Sequence, residues 1–227
     1  MQMERAQLNF LAMLAVLLLA IDQAFGLWTC RQYPHPQQNV CRADFVVRGE
    51  ILKKESIPIS DEYDFGSLEK YTVKVKRIYK GEEFMSESSK LVHLMALANC
   101  GPYLEEGKRY LLSAKFDEDS KQLRTDNCLW NVEWSEITQG QRQGLKHFYE
   151  KYCQTPGQNR HPKKCEIVEG VQNYFGGNAI VKPSRCFYQG GVCERLHSSC
   201  IRKPTGACGW TTNTNYRSCK ELERQRR

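Results

Sequence analysis

Apolar and polar positions alternate in three different ways along this chain. Residues 10–21 form an unbroken apolar run of 12, too short to span a bilayer and about the length of a signal-peptide core. Between residues 45 and 126 the pattern shortens to two-residue alternation, which predicts half-buried strands. Residues 45–52 read as one strand, and residues 71–79 alternate cleanly up to the turn pair Lys80-Gly81. Residues 90–95 and 109–116 make two more, and residues 122–126 a short fifth. Five short antiparallel strands with polar loops predict a sandwich or a small closed barrel. Helix signals flank them. Pro36 opens a short helix through Cys41, since a proline at the first helical position gives up no hydrogen bond. Thr138-Gln139-Gly140-Gln141 has capping-box spacing and leads into a stripe of Leu145, Phe148, Tyr149 and Tyr152, which predicts a helix packed on the strands. After Cys153 periodicity fades. Residues 154–164 read as a polar linker, 165–219 as a glycine-rich piece with six cysteines, and 221–227 as a frayed charged tail.

Ala24-Phe25-Gly26 offers small residues at −3 and −1, which places a leader at residues 1–26 and a cut before Leu27. No later segment is apolar enough for a membrane anchor, so the expectation is a secreted, extracellular protein of 201 residues. The leader carries one arginine and two acids, so its loss moves the net charge from +7 to +8. That balance favours acidic partners such as matrix glycosaminoglycan; nucleic acid is not expected for a secreted chain.

All 11 cysteines follow the leader: 30, 41, 100, 128, 153, 165, 186, 193, 200, 208 and 219. In an oxidising compartment this density reads as a disulfide framework, not as metal or redox sites. The number is odd, which leaves one thiol free or joined to a second chain in a disulfide-linked dimer. The last six cysteines, Cys165, Cys186, Cys193, Cys200, Cys208 and Cys219, cross-link a piece whose apolar core is too small to hold alone, with a pairing that spacing leaves open. Enzyme motifs are absent: no HExxH, no GxSxG, no phosphate-cradling glycine loop and no CxxC pair. His35, His93 and His147 are isolated and read as structural or surface groups, and His161 beside Cys165 reads as a loop next to a disulfide, not half a zinc site. The expectation is neither an enzyme nor a holder of cofactor or metal.

Thr29-Cys30, Pro34-His35-Pro36-Gln37-Gln38 and Cys41 together resemble the opening of the tissue inhibitors of metalloproteinases. Ala43 to Arg48 is similar to that family's first strand, and Tyr71 to Gly81 to its third. Asn99-Cys100-Gly101 with Gly107 to Leu112 matches its next cysteine loop and strand, and Gln141 to Cys153 its closing helix. Ser199 to Lys203 and Cys208-Gly209-Trp210 resemble its tail, while Cys193-Glu194 and Arg217-Ser218-Cys219 are closest to invertebrate members. The resemblance implies a mainly β fold: an OB-like five-stranded barrel with flanking helices, a netrin-like module over 27–153, plus a small disulfide-rich C-terminal domain over 154–227.

It also implies a mechanism. Such chains begin Cys-x-Cys, and the free α-amine and carbonyl of the first cysteine chelate the catalytic zinc of the target proteinase. An α-amine has a pKa near 8, so a neutral fraction with an available lone pair exists at physiological pH. The residue between the cysteines enters the specificity pocket. Here the resemblance places Trp28 where the chelating cysteine belongs, with Leu27 ahead of it; the nitrogen of residue 28 is then an amide, whose lone pair is delocalised. Trp28, Thr29, Cys30 and Arg31 with Leu97, Ala98, Asn99 and Cys100 would form the proteinase-facing ridge. The preferred alignment implies Cys30–Cys128 and Cys41–Cys153 with Cys100 unpaired. An alternative makes Cys30 the first residue, paired with Cys100, and only then could Cys30 contact the proteinase zinc. The competing functional expectation is a non-inhibitory netrin-like module that binds matrix or a cell-surface receptor.

Overall fold

Strand β1 (Phe45–Pro58) is the spine of the chain. In the computed structural model, structure is described for residues 35–59, 66–86, 89–153, 163–169 and 184–226; the leader and the segment Trp28 to Arg31 lie outside these. β1 pairs antiparallel with β2 (Ser67–Lys80) along its length, and its first half also pairs with β4 (Arg109–Asp117), from Phe45↔Ala114 to Glu50↔Arg109. β3 (Leu91–Leu97) continues from β2, and β5 (Gln122–Arg124) lies parallel to β3 and antiparallel to β4. The order β1-β2-β3-β5-β4 therefore returns to β1 and closes a ring of five strands, with β6 (Val132–Glu133) added on β4. The fold is mainly β, an OB-like barrel.

Two-residue alternation sorts the core. Phe45, Val47, Ile51, Tyr71, Val73, Leu94, Leu112 and Ala114 fill the barrel. Val46 and Leu111, one residue out of phase, face the other way and join a second cluster with Val40, Ala43, Ile137, Leu145 and Tyr149. That second layer is where helices α1 (Pro36–Arg42) and α2 (Gln139–His147) pack. Both begin with capping boxes, His35/Gln38 and Thr138/Gln141. The apolar stripe expected to extend α2 through Tyr152 does not stay helical: the helix ends at His147, where the amides of Phe148 and Tyr149 both bond to the Gly144 carbonyl, at 2.9 and 2.8 Å. The widened turn drops Tyr149 into full burial.

Lys80 ends β2 under α1. Its ammonium donates to the carbonyls of Val40 and Cys41, both at 3.2 Å, and to that of Ala43. These are the orphan acceptors at a helix C-terminus, where positive charge is favoured. Burial pushes the Lys80 ammonium below the usual lysine range, and Asp44 pulls it back. Gly81 follows at φ 83°, where a Cβ would meet the Asp44 carbonyl at 2.5 Å, so the turn into the barrel demands glycine.

The C-terminal part carries more regular structure than its sequence shows. β7 (Glu166–Glu169) and β8 (Arg185–Tyr188) run parallel, β9 (Cys200–Arg202) and β10 (Cys208–Trp210) antiparallel. α3 (Val192–His197) lies between the pairs. The expected frayed tail is instead helix α4 (Thr214–Gln225), held by Cys193–Cys219 and by Lys220 against Glu194 at 2.8 Å. Cys165–Cys208 and Cys186–Cys200 cross-link a small core of Ile167, Tyr188 and Trp210. Cys41–Cys153 ties α1 to the end of the barrel module. Closing a loop of 112 residues contributes about 4–5 kcal/mol in the chain-entropy account. Among the described residues no helix is long and apolar enough to cross a membrane.

Candidate functional site

Of the eight residues expected on the ridge, Leu97, Ala98, Asn99 and Cys100 are described and form one tight turn. Leu97 is the last residue of β3, opposite Leu68, and the Ala98 amide still donates to the Ser67 carbonyl at 2.9 Å. The chain then reverses. The amides of Cys100 and Gly101 both donate to the Leu97 carbonyl, at 3.1 and 2.6 Å. A Cβ at residue 101 would stand 2.6 Å from the Ala96 Cβ and 2.8 Å from the Leu97 carbonyl, so this reversal tolerates only glycine. Ala98 and Asn99 are exposed at its tip, and Leu97 and Cys100 are half-buried behind them. Cys100 carries a free thiol that donates to Asn99 Oδ1 at 3.1 Å. The alternative pairing of Cys100 with Cys30 is therefore not formed.

The turn is tied to a second one. The Cys100 carbonyl accepts from the Asn127 amide at 2.9 Å. Next along the chain, Asp126 Oδ1 accepts from the amides of Cys128 and Leu129, at 2.8 and 3.0 Å, in an Asx turn. Asn131 Nδ2 braces that turn from behind by donating to the Asp126 carbonyl and to Thr125 Oγ1. Cys128 is disulfide-bonded. A free thiol and a disulfide sulfur thus sit on adjacent, mutually hydrogen-bonded turns. Beside them Tyr103 is 80% exposed between the buried Pro102 and Leu104. The Pro102 carbonyl accepts from the Tyr71 hydroxyl at 2.9 Å, and the Lys54 ammonium lies 5.5 Å over the Tyr103 ring. Tyr103 escapes sequence reasoning because a single tyrosine in a polar loop has no periodicity to betray its orientation.

The described chain starts at His35, read from the sequence as an isolated histidine. It is wholly buried. Its ring lies 4.8 Å from that of Trp210 and 5.3 Å from that of Tyr188. Nδ1 accepts from the Gln37 amide at 3.2 Å, so Nε2 carries the proton and donates to the Glu194 carbonyl at 3.0 Å. Burial lowers the His35 pKa to about 4, outweighing that carbonyl bond, and the ring is neutral at physiological pH. Gln37 completes the grip: its Nε2 donates to the Cys200 carbonyl at 2.9 Å, and its Oε1 accepts from the Cys200 amide at 2.8 Å. The segment that roots the N-terminal end is therefore held from both sides, by Lys80 of the barrel and by the C-terminal part. Among the described residues no group of three or more His, Cys, Asp or Glu side chains is placed to hold a metal ion.

Comparison with known proteins places this arrangement. The family described as tissue inhibitor of metalloproteinase matches residues 28–210. Metalloproteinase inhibitor 3 of Scyliorhinus torazame is 26% identical over 207 residues, 87% of each chain. Metalloproteinase inhibitor 4 of Rattus norvegicus is 26% identical over 186 residues, 78% of this chain and 77% of that one. Metalloproteinase inhibitor 2 of Homo sapiens is 24% identical over 187 residues, 78% of each. With a match that spans the barrel, the paired turns and the first part of the cross-linked C-terminal piece, the chain belongs to the tissue inhibitor of metalloproteinase family.

Proposed function

We propose that this chain is a secreted inhibitor of zinc metalloproteinases that acts by filling the active-site cleft. The observation that supports this best is the hydrogen bond between the Leu97–Cys100 turn and the turn of Cys128. The family resemblance implies that Cys30 is the partner of Cys128, which is disulfide-bonded. A Cys30–Cys128 disulfide would carry Trp28, Thr29, Cys30 and Arg31 to the exposed Ala98 and Asn99 and make one ridge of the two segments. Thr29 then probes the specificity pocket, and cross-linking lowers the ordering cost of binding. Chelation of the proteinase zinc is weak, because after cleavage before Leu27 the nitrogen of residue 28 is an amide.

Titration of a matrix metalloproteinase catalytic domain with the refolded mature chain tests this. Inhibition at or below micromolar concentration is the expected result, and none at that concentration overturns the reading. A second arm removes Leu27 and introduces Trp28→Cys. This frees an α-amine at residue 28 and supplies a partner for the Cys100 thiol, and inhibition should tighten about a hundredfold, the equivalent of roughly 3 kcal/mol. Sequencing the N-terminus of secreted material should give Leu27 first. A start at Cys30 removes the argument for weak chelation.

A further inference from the structure

The ring of strands is completed by its shortest seam. β3 and β5 run parallel and pair at two positions, Leu94↔Leu123 and Met95↔Arg124. Ahead of these, Leu91, Val92 and His93 pair with β2 on one side and, among the described residues, with no strand on the other. β5 leans on β4 instead, through Phe116↔Leu123 and Asp117↔Gln122. The seam therefore parts towards the starts of β3 and β5, and a cleft of about 460 Å³ lies there.

Its apolar lining is the barrel core seen through the gap. Val92 and Leu123 belong to that core, and Phe84 and Phe116 pack against it with ring centres 5.0 Å apart. Lys70, His93, Lys121 and Gln122 also line the cleft, the last three exposed. Among the described residues that line it there is no carboxylate. Two acids stand nearby, and neither neutralises the lysines inside the cleft. Glu55, opposite Lys70 in the β1–β2 register, is held by Lys53 at 2.8 Å. Glu118 lies 2.8 Å from Lys121 with its side chain 78% exposed, where an ion pair contributes little. Lys121 also takes φ 54° in the β4–β5 reversal, a backbone conformation that glycine adopts at less cost. Its ammonium comes to rest 6.0 Å over the Phe116 ring. An apolar cleft thus carries two ammonium groups and no acid of its own.

We propose that this cleft binds the alkyl chain of a long-chain carboxylate, with Lys70 and Lys121 on its head group. Its volume lies in the range of small-molecule sites, roughly 300–1,000 Å³, and an apolar lining with a few placed polar groups is their usual make-up. The chain takes the place of water on Val92, Phe84 and Phe116, which gains with every methylene covered. The carboxylate gains charge-assisted hydrogen bonds from the ammonium groups. The site is built from the β3–β5 seam and does not depend on the inhibitory reading.

Calorimetric titration of the mature chain with dodecanoate, below its micellar concentration, is the test. Binding should saturate at one equivalent and raise the thermal midpoint with ligand concentration. From octanoate to decanoate to dodecanoate the Kd should fall about threefold or more per methylene. K70Q/K121Q should raise the Kd for decanoate at least about tenfold while leaving that for uncharged 1-decanol unchanged. K146Q/K203Q, which removes the same charge from exposed lysines elsewhere, should change neither. Q122W fills the cleft from an exposed position and should abolish binding of both ligands while the unliganded thermal midpoint holds, so a folding defect cannot imitate the result. No saturable binding by the wild-type chain overturns the proposal. So do equal losses in the two lysine pairs, equal affinity for decanoate and 1-decanol, or undiminished binding by Q122W. Inhibition of a metalloproteinase by the same variants is expected to be unchanged.

Discussion

His35 makes the clearest residue-scale prediction. Unfolded, it takes up a proton near pH 6.5; folded, only near pH 4, because burial disfavours the charged ring. The stability it contributes is therefore complete above pH 6.5 and is lost progressively as pH falls towards 4, about 3 kcal/mol over the interval. Glu50, Glu55, Glu133 and Glu194 have carboxyl groups held below their ordinary value of 4.5, so their contributions decline only below that point and do not overlap the upper part of the window. Denaturant midpoints measured from pH 7 to 4.5 should fall in the wild type and stay much flatter in His35→Gln. Parallel slopes would mean that His35 is not buried in its neutral form. This residue was present in the sequence only as one letter in a proline-rich stretch. Nothing local reports that its partners are Glu194, Tyr188 and Trp210, some 150 positions away. The Leu97–Cys100 turn was legible through family resemblance alone, and the open seam between β3 and β5 only once the strand register was known.

Among the elements, those with intrinsic two-residue periodicity were readable and those stabilised from outside were not. Tyr71, Val73 and Val75 alternate because one face of β2 fills the barrel, so that strand declares itself. Its polar start from Ser67 and the outer end of β1 do not, because neither face is fully buried there. The apolar stripe runs past the end of α2 because Tyr149 keeps helical spacing while its ring is drawn out of the helix into the core. α4 reads as a loose charged tail because what holds it, Cys193 and Glu194, belongs to another element. β7 to β10 have little apolar pattern because disulfides replace much of the core that would write one. α1 illustrates the same dependence in a helix of seven residues, too short to persist alone. Lys80→Met should leave its last carbonyls without a donor and cost roughly 1–3 kcal/mol in chemical denaturation. A loss much under 1 kcal/mol would show that water caps the helix equally well.

At the scale of the whole molecule, the barrel and the cross-linked C-terminal part share the helix between them. Gln37 meets the Cys200 backbone with a donor and an acceptor at once, as a strand neighbour would. Thr138 and Gln141 of the other capping box donate to the carbonyls of Leu196 and Arg195 in the same way. Gln37→Ala should expose the Cys200 amide, and its hydrogen exchange should speed up well before global unfolding. Unchanged protection at Cys200 would show that the two parts are joined by apolar contact instead. The ring of five strands has another consequence. Where the ring closes, from Phe45 to Glu50, β1 lies between β2 and β4 and cannot take up an extra segment from a visiting molecule there. The exposed tip at Ala98 and Asn99 belongs to a reversal outside that closure. Mutation can therefore rewrite the tip at Ala98 and Asn99 generation after generation, trying new targets, while the barrel beneath goes on folding as before.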